Sequence, residues 1–284
     1  MARVGLIGVG LLGTALAERL LAAGHVVVGF DLDAARRQAL VAAGGIALES
    51  AARVAEQCDT LVFSLPNSSI VAQVVASIKA ELRSRHLLVD TTTGDPQAVE
   101  SLAAQLASCD IDYIDATILG SSQLVRDGQA IVMVGGEDEA VGTCRELLAC
   151  FGREAFHVGP TGAGSRMKLV VNLVLGLHRA VLAEGLTLAK ALDLDPASAL
   201  AILKAGAAYS AVMDTKGEKM LTGDFAPQAR LSQHLKDVRL LLAAAERSAT
   251  SLPLSESHRI LLERAEAAGY GEADNSAILR AFDS

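Results

Sequence analysis

Gly8-Val9-Gly10-Leu11-Leu12-Gly13 follows an apolar run that starts at Arg3, and an Ala/Leu-rich helical pattern, Leu12 to Ala23, begins inside it. The first glycine permits a tight strand-to-helix turn, the second lets the backbone approach a pyrophosphate, and the third lets helix and strand pack closely. The helix N-terminus favours the phosphate charge. In isolation such a run is equally well a glycine-rich turn. Here it is followed by Asp31, which ends the next strand-like run, Val26 to Asp31, eighteen residues beyond Gly13. An acid at about that distance accepts hydrogen bonds from the adenosine ribose, so the arrangement predicts dinucleotide binding by Gly8, Gly10, Leu11, Leu12, Gly13 and Asp31. A carboxylate there repels the additional phosphate of NADP and favours NAD, while Arg36 and Arg37 on the following helical segment keep NADP open.

Lys168 is the second chemistry-bearing residue. Ser165 is the expected N-cap of a long helix, which puts Lys168 in its first turn, where the helix dipole disfavours a cation. The apolar Leu169-Val170-Val171 adds desolvation, so the local chemistry favours the proton exchange of a general acid/base. Asn172, four residues on, shares that helix face and is placed to hydrogen-bond the lysine or a substrate oxygen. A snorkelling surface lysine is the alternative; the preceding glycine-rich break, Gly159 to Gly164, favours the functional reading because clefts form at such boundaries. Two strand ends, Ser64-Leu65-Pro66-Asn67 and Thr91-Thr92-Thr93, face the crevice where open α/β sheets bind ligands. In the expected loop Thr117 to Ser122, backbone N–H groups and hydroxyls at Gly120, Ser121 and Ser122 suit an anionic head such as carboxylate or sulfonate.

The elements that carry these residues alternate up to about residue 160. β-branched runs at Arg3 to Gly8, Val26 to Asp31, Thr60 to Ser64, Leu87 to Asp90, Asp112 to Ala116, Ala130 to Val134 and Ala155 to Val158 are separated by helical patterns, which implies parallel strands with helical crossovers. Beyond Gly164 the pattern is helical to Phe282, with one helix expected from Ser165 to Leu192 and the next opening at Asp195-Pro196. The predicted fold class is α/β: an N-terminal Rossmann-type dinucleotide-binding domain, 1–162, joined by a long helix to an all-helical domain, 163–284, for substrate and dimerisation. The helices carry more apolar surface than a small domain buries, which predicts a homodimer or homotetramer.

With 284 residues, 51% of them hydrophobic, the chain has enough apolar material for two cores and is not disordered. A net charge of −8, no Lys/Arg-rich run and no Trp exclude nucleic acid as a partner. Cys58, Cys109, Cys144 and Cys150 lack zinc-ligand spacing, so no metal is expected. The apolar stretch Leu169 to Leu177 is broken by Asn172 and is too short for a membrane span. A strand-like N-terminus in place of a secretory signal makes the expected location cytoplasmic. Gly159 to Gly164 has the glycine spacing of a phosphate-binding loop, yet Ser165 stands where its lysine must be.

These residues resemble the β-hydroxyacid dehydrogenase family, which includes 3-hydroxyisobutyrate dehydrogenase and tartronate semialdehyde reductase. The likeness runs through the Gly8–Gly13 fingerprint, Leu65-Pro66-Asn67, Asp90 to Pro96, Asp115-Ala116 with Gly120, and Val132 to Gly136. It continues through Phe156 to Pro160, Gly162-Ala163-Gly164 with Lys168 and Asn172, Lys236-Asp237, and Asp274 to Ala277. The resemblance implies Lys168 as the catalytic lysine, Asn172 as a substrate contact, and Thr93 and Lys236 as cofactor-side contacts beside Leu65 and Pro66. It also implies hydride transfer between NAD and a small anionic hydroxyacid or its semialdehyde. Leu119 stands where the family's substrate loop usually has serine, and Val171 where it usually has asparagine. Leu119 either narrows the pocket or packs against the sheet. An imine reductase-like enzyme and a non-catalytic NAD-binding protein are the alternative readings.

Overall fold

The computed structural model describes residues 2–84 and 86–283. The chain divides into two compact units, Met1–Lys168 and Leu169–Ser284. The strands of the first are β1 (Arg3–Ile7), β2 (Val26–Phe30), β3 (Ile46–Ala47), β4 (Thr60–Phe63), β5 (Leu87–Asp90), β6 (Asp112–Leu119), β7 (Ile131–Gly135) and β8 (Glu154–Gly159). They form one sheet in the order β3-β2-β1-β4-β5-β6-β7-β8. Its helices are α1 (Leu11–Ala22), α2 (Ala34–Ala42), α3 (Ala51–Gln57), α4 (Ser68–Ser77), α5 (Pro96–Ala107), α6 (Ser122–Arg126), α7 (Asp138–Thr143) and α8 (Arg145–Phe151). The winding reverses between β1 and β4, so the turn after β1 opens at the switch point where open α/β sheets hold ligands.

The expectation of a wholly parallel sheet is corrected at one pair. β7 runs antiparallel to β6, with Asp115 opposite Gly135 and Leu119 opposite Ile131, and β8 then pairs parallel to β7. The link between β6 and β7 holds only the short α6, and a parallel return needs a crossover of about a dozen residues or more. Strand alternation builds two cores. Val4 and Leu6 of β1 pack with Leu16 and Leu20 of α1 and with Phe151, while Ile7 packs on the opposite face with Val54, Val71, Val99 and Tyr113.

α9 (Ala163–Ala191) passes from the first unit into the second. It is followed by α10 (Pro196–Ala205), α11 (Val212–Thr222), α12 (Leu231–Arg247) and α13 (Pro253–Ala265), then a π-turn at Glu266–Tyr270 and a 3-10 segment at Asn275–Phe282. Asp195 caps α10, accepting from the amides of Ala197 and Ser198, and Pro196 takes the first helical position. Leu182, Leu186, Leu231, Leu235, Val238, Leu262 and Ile278 form the core of this unit. α9 is the long helix expected from Ser165 to Leu192; its 29 residues and a mean hydropathy of 1.5 over its most apolar stretch make it long and apolar enough to cross a membrane by length and composition alone. Leu169, Ala180, Leu182, Ala183 and Leu186 are instead spent in the core of the helical unit.

Candidate active site

The turn from β1 to α1 is built for close backbone approach. Gly8 sits at φ +95°, which a side chain strains against, and a Cβ on Gly13 would overlap the Gly8 carbonyl oxygen. Among the described residues no side chain caps α1 at Gly10, so the first amides of the helix keep their hydrogen-bonding capacity for an anion. A Cβ on Gly10 would meet only the Arg36 guanidinium, at 3.8 Å, so this face of the turn is open to a pyrophosphate. Leu11, at the helix start, is exposed, and Leu12 is half-buried. The turn and the acid are one assembly: Asp31, 8% exposed, accepts from the Val9 amide (2.7 Å) and from the Asp33 amide (2.9 Å). These residues fit a dinucleotide.

Arg36 and Arg37 are drawn to this acid. Arg36 Nη1 stands 3.5 Å from Asp31 Oδ2, and Arg37 Nη1 donates to the Asp31 carbonyl at 2.6 Å. Further along the carboxyl ends of the strands, the Leu65 amide donates to Thr92 Oγ1 (3.1 Å), which joins the β4 and β5 ends. Pro66 is exposed and Thr93 half-buried.

Lys168 lies at the same edge of the sheet. Its Nζ donates to the Ile118 carbonyl at 2.5 Å, beside Leu119 and Gly120, so the half-buried lysine is tethered to the end of β6. One expectation is corrected here. The segment Thr117 to Ser122 is strand as far as Leu119 and becomes a turn only at Gly120, where φ is +149°. Ser121 Oγ caps α6, accepting from the Leu124 amide at 3.3 Å.

Ser165 is not the N-cap of α9, which begins at Ala163 and so puts Lys168 beyond the first turn. The capping group comes from β6: Asp115, 1% exposed, accepts from the amides of Gly162 (2.7 Å) and Ser165 (2.5 Å), and Thr117 Oγ1 donates to the Gly164 carbonyl at 3.0 Å. Burial pushes the Asp115 carboxyl up to about 6, against the opposing pull of those two amides. Gly135 and Gly164 leave room for this contact, since a Cβ on either would run into the Asp115 carboxylate. A lone acid inside the run Ile114-Asp115-Ala116 is the local signal of this role.

The helical unit gathers the remaining site residues. Asn172, 7% exposed, donates from Nδ2 to Asp237 Oδ2 at 2.9 Å, and Lys236 Nζ stands 3.1 Å from Asp237 Oδ1. Asp237 therefore holds both residues that the family resemblance singles out in this unit.

Residues 3–159 match the family model described as the NAD binding domain of 6-phosphogluconate dehydrogenase. Residues 162–282 match that described as NAD-binding of NADP-dependent 3-hydroxyisobutyrate dehydrogenase. The chain is 32% identical to the 2-(hydroxymethyl)glutarate dehydrogenase of Eubacterium barkeri, over 99% of this chain and 95% of that one. It belongs to the β-hydroxyacid dehydrogenase family. The chain is also 28% identical over 99% of its length to the human cytokine-like nuclear factor N-PAC, about half (51%) of which it spans. The fold is that of Mycobacterium tuberculosis 3-hydroxyisobutyrate dehydrogenase, solved with L-serine, at a TM-score of 0.91 and 23% identity over the whole of both chains.

Proposed function

We propose that this β-hydroxyacid dehydrogenase interconverts a small anionic β-hydroxyacid and its semialdehyde with NAD, and also with NADP, using Lys168 as the general acid/base. The observation that carries the reading is the tether from Lys168 Nζ to the Ile118 carbonyl, which holds the amine at the carboxyl edge of the sheet that also bears the glycine turn. The nicotinamide cofactor, when bound, supplies the redox chemistry. Gly8, Gly10, Leu11, Leu12, Gly13, Asp31, Leu65, Pro66, Thr93 and Lys236 hold it. Arg36, beside Asp31, lowers the repulsion that a bare carboxylate would exert on a ribose phosphate, which supports use of both cofactors.

Lys168 takes the hydroxyl proton in oxidation and returns it in reduction. The backbone at Gly120, the hydroxyls of Ser121 and Ser122, and Asn172 orient the acid, with Asp237 fixing the Asn172 amide. Residues 1–162 are the dinucleotide-binding domain, and 163–284 the helical domain that adds substrate contacts and self-association. The protein works in the cytoplasm as a homodimer or a dimer of dimers, using the exposed side of α9, where Val174, Val181 and Leu188 recur every seventh residue.

The test is a panel of hydroxyacids with NAD and NADP followed by nicotinamide absorbance, together with Lys168→Ala. That variant is expected to lose about 10²- to 10⁴-fold in kcat at nearly unchanged cofactor affinity. Wild-type turnover in the variant removes the lysine from the reaction. Cofactor binding without turnover of any hydroxyacid in the wild type favours a non-catalytic role.

A further inference from the structure

Inside the helical unit, Arg179 is 7% exposed, and among the described residues its guanidinium makes a hydrogen bond to His234 Nε2 (2.9 Å) and no ion pair. The two nearby acids are committed elsewhere. Asp274 takes Lys216 on both oxygens, each at 2.9 Å, together with the amides of Gln228, Ala229 and Ser276. Asp237 holds Asn172 and Lys236. Both acids act on Arg179 only through space, and burial still lowers the guanidinium to about 10. His234 accepts the arginine's N–H, and an imidazole is no counter-ion to a guanidinium. His258, 2% exposed and tilted against His234 at a ring distance of 5.2 Å, has no hydrogen-bond partner on Nε2 among the described residues.

A cation excluded from water without a counter-ion is costly, and so is an unpaired buried ring nitrogen. Both lie at one place. Gly176 is the reason they fit, since a Cβ there would come within 2.5 Å of His258 Cε1 and 2.6 Å of His234 Nε2. Asn172, Gly176 and Arg179 are spaced four and three residues apart on α9 and so share one face. Helical side chains lean toward the N-terminus, which sends the arginine head from its own turn toward that of Asn172. α12 lines the same stripe, with Asp237 against Asn172 and His234 against Arg179.

We propose that Arg179, with His234 and His258, receives the second carboxylate of a dicarboxylic hydroxyacid whose reacting end is held at Asn172. This rests on the reading of Asn172 as a substrate contact. The planar guanidinium offers its remaining N–H donors to a carboxylate, and His258 Nε2 supplies a further hydrogen bond. A few carbons between the two acid groups cover the distance, since Asn172 and Arg179 are about 10 Å apart along the helix axis and the arginine side chain shortens the gap.

The experiment compares 2-(hydroxymethyl)glutarate with 3-hydroxyisobutyrate on the full-length wild type and on Arg179→Met, which keeps the bulk and drops the charge, with Tm checking the fold. The wild type is expected to favour the diacid in kcat/KM. Arg179→Met is expected to lose about ten- to a hundredfold more on the diacid than on the monoacid. Equal losses on both, or a wild type that favours the monoacid, overturn the proposal. Calorimetric titration with glutarate and butyrate separates this from failure of the dehydrogenase reading. If neither hydroxyacid is turned over, glutarate binding that vanishes in Arg179→Met still supports the carboxylate site, and absence of glutarate binding to the wild type overturns it.

Discussion

Replacing Asp115 by Asn tests whether a buried carboxylate holds the start of α9. The native carboxyl is raised to about 6 from 3.8, so between those values the folded chain binds a proton that the unfolded chain has released. Stability from this group is therefore present at low pH and is lost as pH rises through about 6, by about 3 kcal/mol in all. Asn does not titrate. It also turns an N–H group toward one of the amides of Gly162 or Ser165, a cost of about 1–3 kcal/mol that does not vary with pH. Urea unfolding of both proteins across pH isolates the titrating part, because every other ionisable group cancels in the difference. The wild type's advantage is expected to shrink by about 2 kcal/mol between roughly pH 4.5 and pH 7.5. Parallel stability curves, or an advantage that grows with pH, refute the reasoning, since the latter means the two amides outweigh desolvation.

Gly13→Ala forces a methyl group onto the Gly8 carbonyl and is expected to weaken NAD binding at least tenfold with a lower Tm; isothermal titration showing native affinity contradicts this. Asp31→Ser keeps at most one of the bonds to the Val9 and Asp33 amides, so NAD affinity should fall while the preference for NAD over NADP weakens, read from the two kcat/KM values. Leu119→Ser is expected to change the order of kcat/KM among hydroxyacids; an unchanged order places Leu119 on the sheet and out of the pocket. Leu188→Glu puts a charge on the exposed stripe of α9, and light scattering should then report a smaller particle than for the wild type.

Periodicity was enough to locate seven of the eight strands, because each is a β-branched run between helical segments; β3, only Ile46–Ala47, is too short to leave a pattern. Strand direction is a different matter, since hydrophobic alternation is the same in both directions. Only the short link carrying α6 marks β7 as reversed. Gly8 to Gly13 and Asp31 are legible because their chemistry depends on local spacing. The cap of α9 is not, for the eye finds Ser165 while the group that binds the amides is Asp115, 47 and 50 residues away. Arg179, His234 and His258 are equally silent in one dimension: they stand on α9, α12 and α13 and acquire their character only when those helices pack.

The Asp115 cap also sets an order of events in folding. A helix closed by its own serine can form its first turn as soon as that stretch of chain exists, on the sub-microsecond scale of about 0.1–1 μs. Here the acceptor belongs to a strand in the middle of the sheet, and Gly135, which leaves room for it, belongs to the strand that must reverse and dock against β6. The first turn of α9, which leads into Lys168, is therefore expected to set only after β6 and β7 have paired, with the loop-closure entropy of a non-local contact already met. An amine anchored this way becomes ordered late in folding, and hydrogen exchange at Gly162 and Ser165 should report the opening of β6 and β7 as well as the fraying of the helix.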